Sequence, residues 1–326
     1  MTRINSIRFQ NFRCLRDCVL PLERMTLLIG PNGSGKSTAL LALEYVGRLQ
    51  TGRANLVPAH SAVAHAGGLS QDVAVELSIR HPPTIMKWAA NTATPSVIPK
   101  PQGQTFGILS GIRLHHLDAR VLVRPSKLAR RPALGAYGEN LPAILDYLRG
   151  EFPERFDGLQ DELTRWLPEY DRILLPSTDS SEKGFALRTT GGHTIDATYL
   201  SEGTVLALAL LTIVWLPEPP SVLCLEEPDR GIHPRLLKDV QQALYRLTHP
   251  EAFGETRPPV QVIATTHCPY LLDLYRDHPE EVVVASKDGL DVSFKRLVDI
   301  PNYEFLVRDS HLGEAWYSGV LGGVPQ

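Results

Sequence analysis

Residues 30–37 read GPNGSGKS, and the reading of this octet decides the fold. Gly30, Gly35, Lys36 and Ser37 occupy the fixed positions of G-x-x-x-x-G-K-[S/T], a loop whose backbone N–H groups wrap phosphates while its lysine reaches the β and γ oxygens. The flanks agree. CVLPLERMTLLIG reads as a strand running into the loop, and KSTALLALEYVGRL has the apolar spacing of a helix. Strand, phosphate loop, helix is the setting such a loop requires. We therefore expect Gly30, Asn32, Gly33, Ser34, Gly35, Lys36, Ser37 and Thr38 to line a nucleotide-phosphate site, with INSIRFQNF as a further strand upstream.

A chain of 326 residues, 43% apolar and 21% charged, can bury a substantial core as one large domain or two smaller ones. Net charge is −3 and the isoelectric point is near 6.4, so no overall basic field advertises nucleic acid. Cys14, Cys18, Cys224 and Cys268 are too scattered for a zinc knuckle, which points to a reduced, cytoplasmic setting. The start MTRINSIRFQ has no apolar signal core, and the longest apolar run, VLALALLTIVWL at 205–216, is too short to span a bilayer. Neither secretion nor a membrane is expected.

Two more apolar, β-branched runs end on polar residues, PPSVLCLEEPDRGIHP and RPPVQVIATTHCP. Buried parallel strands look like this, and their carboxyl ends are where α/β folds hold ligands. In the first, Glu226 and Glu227 stand together at the strand end; the first acid can hold Mg²⁺ or its water, the second can activate a water. In the second, His267 is the polar stop. A fourth element, TYLSEGTVLALALLTIVWL, places Ser201 as the cap of a long apolar helix whose first N–H groups suit an anion.

In the order NFR, GPNGSGKS, LSEGT, CLEEPDRGIHP, TTHCP, the chain resembles the ABC-type, SMC-like AAA ATPase heads of the recombination-repair group. Within them it is most similar to heads related to the OLD (overcoming lysogenization defect) family that lack the TOPRIM nuclease domain. The resemblance implies an α/β P-loop NTPase, an ABC-ATPase head with a mixed, largely parallel sheet and a small α+β lid insertion. It implies ATP and Mg²⁺ as cofactors. Two heads would sandwich two ATPs as a homodimer, one copy's phosphate loop facing the other's signature helix. Lys36 and Ser37 would then hold phosphate and metal, Glu226 the metal, Glu227 would be the base and His267 the γ-phosphate switch. Ser201, Glu202 and Gly203 would act in trans, and Asn11 and Arg13 would lie beside the nucleotide. Three departures stand out: LSEGT replaces LSGGQ, Glu226 replaces the commoner aspartate with one extra methylene, and GIHP replaces a loop ending in Leu-Asp.

We expect three segments: 1–50 with the phosphate loop, a lid at 51–195, and 196–326 with the signature helix, the two acids and His267. Residues 81–104 lack apolar periodicity and read as a loop; 140–167 reads as two helices broken at Pro153. The lid is too short for a long coiled coil. Too few residues follow His267 for a nuclease domain, so any nuclease would be a separately encoded effector in a defence or repair system. Trp316 and Tyr317 near the end suit a docking segment or a packed helix. DNA remains open as a partner, because Arg113, Arg120, Arg124, Lys127, Arg130 and Arg131 form the densest basic stretch. A nucleotide-gated clamp with little turnover is the alternative. A transporter subunit fits less well: Gln71 could serve as its Q-loop, but the long lid and GIHP argue against it.

Overall fold

The computed structural model describes residues 3–65, 71–79, 84–88, 95–179, 181–306, 308 and 311–322. The chain forms two compact units. The first comprises Met1–Leu114, Pro220–Leu225 and Pro258–Gln326; the second comprises His115–Pro219 and Glu226–Arg257.

The first unit begins with β1 (Ser6–Phe12) and β2 (Leu15–Pro21), then β3 (Met25–Ile29), α1 (Lys36–Gln50) and the short α2 (His60–Val63). It continues through β4 (Val73–Ser78), β5 (Thr84–Trp88), β6 (Ser96–Ile98), α3 (Gly103–Ser110) and β7 (Ile112–His115). The single strand expected before the phosphate loop is in fact two. Pro21, which lacks an N–H, ends the ladder opposite Ser6, and Thr26 Oγ1 accepts the Glu23 N–H at 2.9 Å where the chain turns into β3. All five residues of β3 are buried, as a central strand requires.

Among the described residues, β2, β1, β4, β5 and β6 form one antiparallel sheet in that order. The loop expected over 81–104 is thereby corrected in part, since Ile85, Met86 and Lys87 pair with Ile98, Val97 and Ser96. β6, at the edge of this sheet, has no fully buried residue, so apolar alternation does not announce it. Residues 99–102 do stay outside helix and strand, Gly103 and Gln104 begin α3, and 81–83 and 89–94 lie outside the described residues.

The second unit starts with α4 (Ala119–Leu122), β8 (Ser126–Lys127), α5 (Leu141–Glu151) and α6 (Pro153–Trp166). Pro153 opens α6, so the expected break falls where proline is tolerated, in the first helical turn. There follow β9 (Tyr170–Leu174), β10 (Glu182–Lys183), β11 (Ala186–Thr189), β12 (Thr194–Asp196) and α7 (Glu202–Val214). The chain then supplies β13 (Val222–Glu226) and returns for α8 (Leu237–Thr248). From Thr204 to Val214 every residue of α7 is buried, and α4, α5, α6 and α8 pack on it. A helix apolar all round belongs inside a core.

The same unit holds a buried ionic cluster. Gly158 of α6 leaves room for the Trp215 ring, which an added Cβ would approach to 2.3 Å. Trp215 Nε1 donates to Glu162 Oε2 at 2.8 Å, Arg246 Nη1 donates to the same oxygen at 2.7 Å, and the Arg246 guanidinium lies 4.0 Å from the Trp215 ring centre. Arg246 and Arg257 both donate to Glu255. Burial pushes the Glu255 carboxyl up, but the guanidinium groups of Arg257 and Arg246 outweigh it and hold the group below its ordinary range. Its stabilisation is therefore complete above the unfolded carboxylate pKa and is lost as pH falls through the lower folded value. In thermal melts from pH 6 downward, Glu255→Gln should lose less Tm than wild type on acidification; parallel curves would remove Glu255 from the acid response.

The chain returns to the first unit as β14 (Gln261–Thr265), α9 (Pro269–Asp273), β15 (Val282–Asp288), β16 (Asp291–Arg296), α10 (Tyr303–Leu306) and α11 (Leu312–Tyr317). The second sheet runs β16-β15-β3-β14-β13-β7 among the described residues. β14 and β15 flank β3 in parallel, and β16 returns antiparallel, which makes the sheet mixed. Between the sheets lies a core that includes Phe9, Phe12, Leu40, Leu43, Val46 and Ile263. Each such side chain contributes about 1.5–3 kcal/mol by leaving water. Trp316 belongs to the buried side of α11, while Tyr317 is exposed. No helix among the described residues is long and apolar enough to cross a membrane.

Candidate nucleotide-binding site

In the first unit β3 delivers the chain into the phosphate loop. Gly30, Gly33 and Gly35 have φ of +148°, +76° and +88°, a region that side chains resist. At Gly30 an added Cβ would lie 2.3 Å from Ala285 O, and at Gly35 2.6 Å from Leu15 Cδ2, so neither position admits another residue without displacement. Lys36 Nζ donates to Gly30 O at 2.8 Å and Pro31 O at 2.9 Å, arching the ammonium over the loop. Ser34 is 1% exposed, and its Oγ has no hydrogen-bond partner among the described residues. No side chain caps α1, while Ser37 is exposed at its first turn. Free helix N–H groups, an ammonium and an orphaned hydroxyl make a donor set that suits the oxygens of a polyphosphate.

His267 follows β14, the strand beside β3, and Thr266 N donates to Leu28 O at 3.0 Å, so the histidine sits at the loop end of these strands. Asn11, near the end of β1, and Arg13, in the turn to β2, have φ of +54° and +52°. Asn11 Nδ2 donates to Gln71 Oε1 at 2.9 Å and Asp72 O at 3.2 Å, which gives Gln71 a local partner. Arg13 Nη2 donates to Tyr45 OH of α1 at 3.3 Å, while its Nε is buried without a partner among the described residues. No disulfide links the four cysteines; burial first, then Cys14 and Asp17, push the Cys18 thiol up to about 12.

The second unit carries the acids and the signature helix. β13 ends at Glu226, and Glu227 adopts φ +46°, held in its turn by Arg230 N donating to Glu227 O at 3.0 Å. A glutamate in the left-handed region stores roughly 1–3 kcal/mol of strain, a cost that tends to persist where a side chain must be aimed. Ser201 caps α7 as expected, its Oγ accepting the Thr204 N–H at 3.2 Å. An added Cβ at Gly203 would lie 2.5 Å from Gly231 O, and one at Gly231 3.2 Å from Glu202 Cγ. The glycines of LSEGT and GIHP thus let the loop after β13 lie against the start of α7. A cleft of about 500 Å³, lined by Asp118, Arg120, Thr198, Glu202 and Arg230 among others, opens there.

Of the basic stretch, Arg120, Arg124, Lys127, Arg130 and Arg131 are exposed in this unit. Arg113 is not part of that face: it belongs to the first unit, and its Nη1 donates to Ser110 O and Ile112 O at 2.8 and 2.7 Å.

One contact escaped the sequence reading. His116 Nδ1 lies 2.5 Å from Glu226 Oε2, with the histidine side chain 42% exposed and the carboxylate 14%. The available signal was a polar stop after a strand, IRLHH, of the kind that singled out His267.

Comparison with known proteins places this geometry. Residues 105–273, just over half of the chain, match the family model described as "AAA domain, putative AbiEii toxin, Type IV TA system". The chain belongs to this AAA family. Residues 2–76 also match an "AAA ATPase domain" model. An OLD nuclease from Thermus scotoductus is 46% identical over 43 residues, which is 13% of this chain and 8% of that protein. This AAA chain thus matches only a small fraction of that nuclease's length. Among solved structures, the "SmcHead bound to the C-winged helix domain of ScpA" covers 90% of this chain and 96% of its own, at 13% identity and a TM-score of 0.64. An SMC head domain from Thermotoga maritima is 14% identical, covering 90% of this chain and 98% of its own, at a TM-score of 0.48. The fold is that of an SMC-like P-loop ATPase head, as the resemblance implied.

Proposed function

We propose that the chain is an Mg²⁺-dependent ATPase whose two copies close on ATP and reopen after hydrolysis, switching a separately encoded effector, such as a nuclease, in bacterial defence or DNA repair. One observation carries the reading: the loop with three positive-φ glycines, Lys36 arched over its carbonyls and a buried Ser34 hydroxyl with no partner among the described residues. In this reading the loop N–H groups and Lys36 hold the β and γ phosphates, with Asn32 inside the loop and Thr38 in the first turn of α1. Ser37 and Glu226 would hold Mg²⁺, which when bound would offset charge developing on the phosphate oxygens. Glu227 orients the attacking water and takes its proton as the bond from the γ-phosphorus to the bridging oxygen breaks. His267 reads the γ-phosphate, and Asn11 and Arg13 flank the nucleotide.

The dimer is supported by exposure. Tyr199, Ser201 and Glu202 stand out to solvent at the start of a helix that is otherwise buried, which leaves this helix end accessible to a second copy's nucleotide. ATP turnover and solution mass, measured together, test the proposal. Mg·ATP should move the chain from 36.1 kDa to twice that mass with measurable phosphate release. A mass and a phosphate signal both indifferent to ATP would sink it. The exposed arginines and Lys127 favour the clamp alternative, which predicts the same doubling with negligible phosphate release and a salt-sensitive response to duplex DNA.

A further inference from the structure

We propose that His116 is a positioning residue for Glu226: it donates a hydrogen bond that fixes one carboxylate oxygen and so limits the orientations from which the other can hold a metal. The inference rests on the reading of Glu226 as the metal-side acid. An ionised carboxylate only accepts hydrogen bonds, so in this contact Nδ1 carries the proton. The ring is itself held. His116 N donates to Ala136 O at 2.8 Å, Asp118 N to Tyr137 O at 3.3 Å, and the Tyr137 ring meets the imidazole edge-on at 6.0 Å. The donor is thus placed by the 136–137 segment, and the largely enclosed carboxylate is placed by the donor.

The need for such a donor follows from the side-chain length. Glutamate has one more rotatable bond than the aspartate usual at this position, and that freedom must be removed before the acid can hold a metal. A hydrogen bond to the oxygen not used by the metal removes it, as partners of ligating carboxylates generally do, and their loss typically costs 10- to 100-fold in metal affinity.

His116→Phe removes the donor but keeps a ring against Tyr137, and His116→Asn returns an N–H at about the reach of Nδ1. Mn²⁺ binding, followed by electron paramagnetic resonance with a non-hydrolysable ATP analogue present, is the readout; binding of a fluorescent ATP analogue in EDTA is the control. We expect His116→Phe to weaken Mn²⁺ about 10- to 100-fold, His116→Asn to recover most of that loss, and metal-free nucleotide binding to hold steady. If His116→Phe does not fold, His116→Ala is read in its place. Wild-type Mn²⁺ affinity in the donor-free variant overturns the inference, as does an Asn variant no better than Phe. A wild-type protein that binds neither the analogue nor Mn²⁺ overturns the nucleotide reading itself and this pairing with it.

Discussion

Glu227→Gln should lower ATP turnover by roughly 10²- to 10⁴-fold, the usual contribution of a positioned general base, while leaving nucleotide binding close to wild type. The two halves of that expectation have separate origins. In the proposed reading phosphate is held by the loop of the first unit, whose geometry depends on Gly30, Gly33 and Gly35 and not on this side chain. Glutamine keeps the size of glutamate and the turn closed by Arg230 N on Glu227 O, but it cannot take a proton from water. The variant should therefore accumulate in the ATP-bound, closed state, and its doubled mass should outlast that of the wild type. Steady-state phosphate release with a parallel binding titration checks both halves. Undiminished release in the variant would take the base role away from Glu227 and leave its φ of +46° as a structural feature of the turn.

Arg246→Ala should destabilise the protein by about 3–5 kcal/mol, the usual cost of removing one member of a buried ionic cluster. Arg246 is hydrogen-bonded to Glu162 and to Glu255 and stacks on Trp215, so one substitution leaves Glu162, only 8% exposed, with much of its charge uncompensated. Trp215 Nε1–H remains on the same carboxylate oxygen, and Arg165 at 3.2 Å is too exposed to replace the lost guanidinium. Because Trp215 follows α7 directly, the loss falls on the helix that carries the signature residues. Urea unfolding monitored by Trp fluorescence measures it. A loss below about 1 kcal/mol would mean that water reaches the cluster and screens it as it screens a surface pair.

Much of the candidate site was legible in local patterns. The octet at 30–37 announced a loop, and the loop has the backbone its glycines imply. Ser201 ahead of an apolar run announced a capped helix, and Pro153 announced the junction between two helices. Each of these depends on groups within a few residues of one another: an N–H without a partner, a ring that fixes φ, a missing Cβ. Such effects act wherever the sequence occurs, so they can be read before the fold is known.

Other features required partners distant along the chain. Pro21 divides what reads as one strand because β2 pairs with β1 while β3 lies between β14 and β15. Residues 84–88 and 96–98 are strands because β4 offers a free edge. Arg113, inside a basic run, turns to the backbone carbonyls of Ser110 and Ile112, whereas Arg120, Arg124, Lys127, Arg130 and Arg131 stay exposed. His116 meets Glu226 across 110 residues of chain. The backbone of the glycine loop, helix caps and helix breaks were written in the residue order because they are short-range. The pairing of the acid with its histidine, and of Glu162 with Arg246, came only with folding, because a hydrogen bond between distant residues exists only once the packing of the core has brought donor and acceptor within about 3 Å.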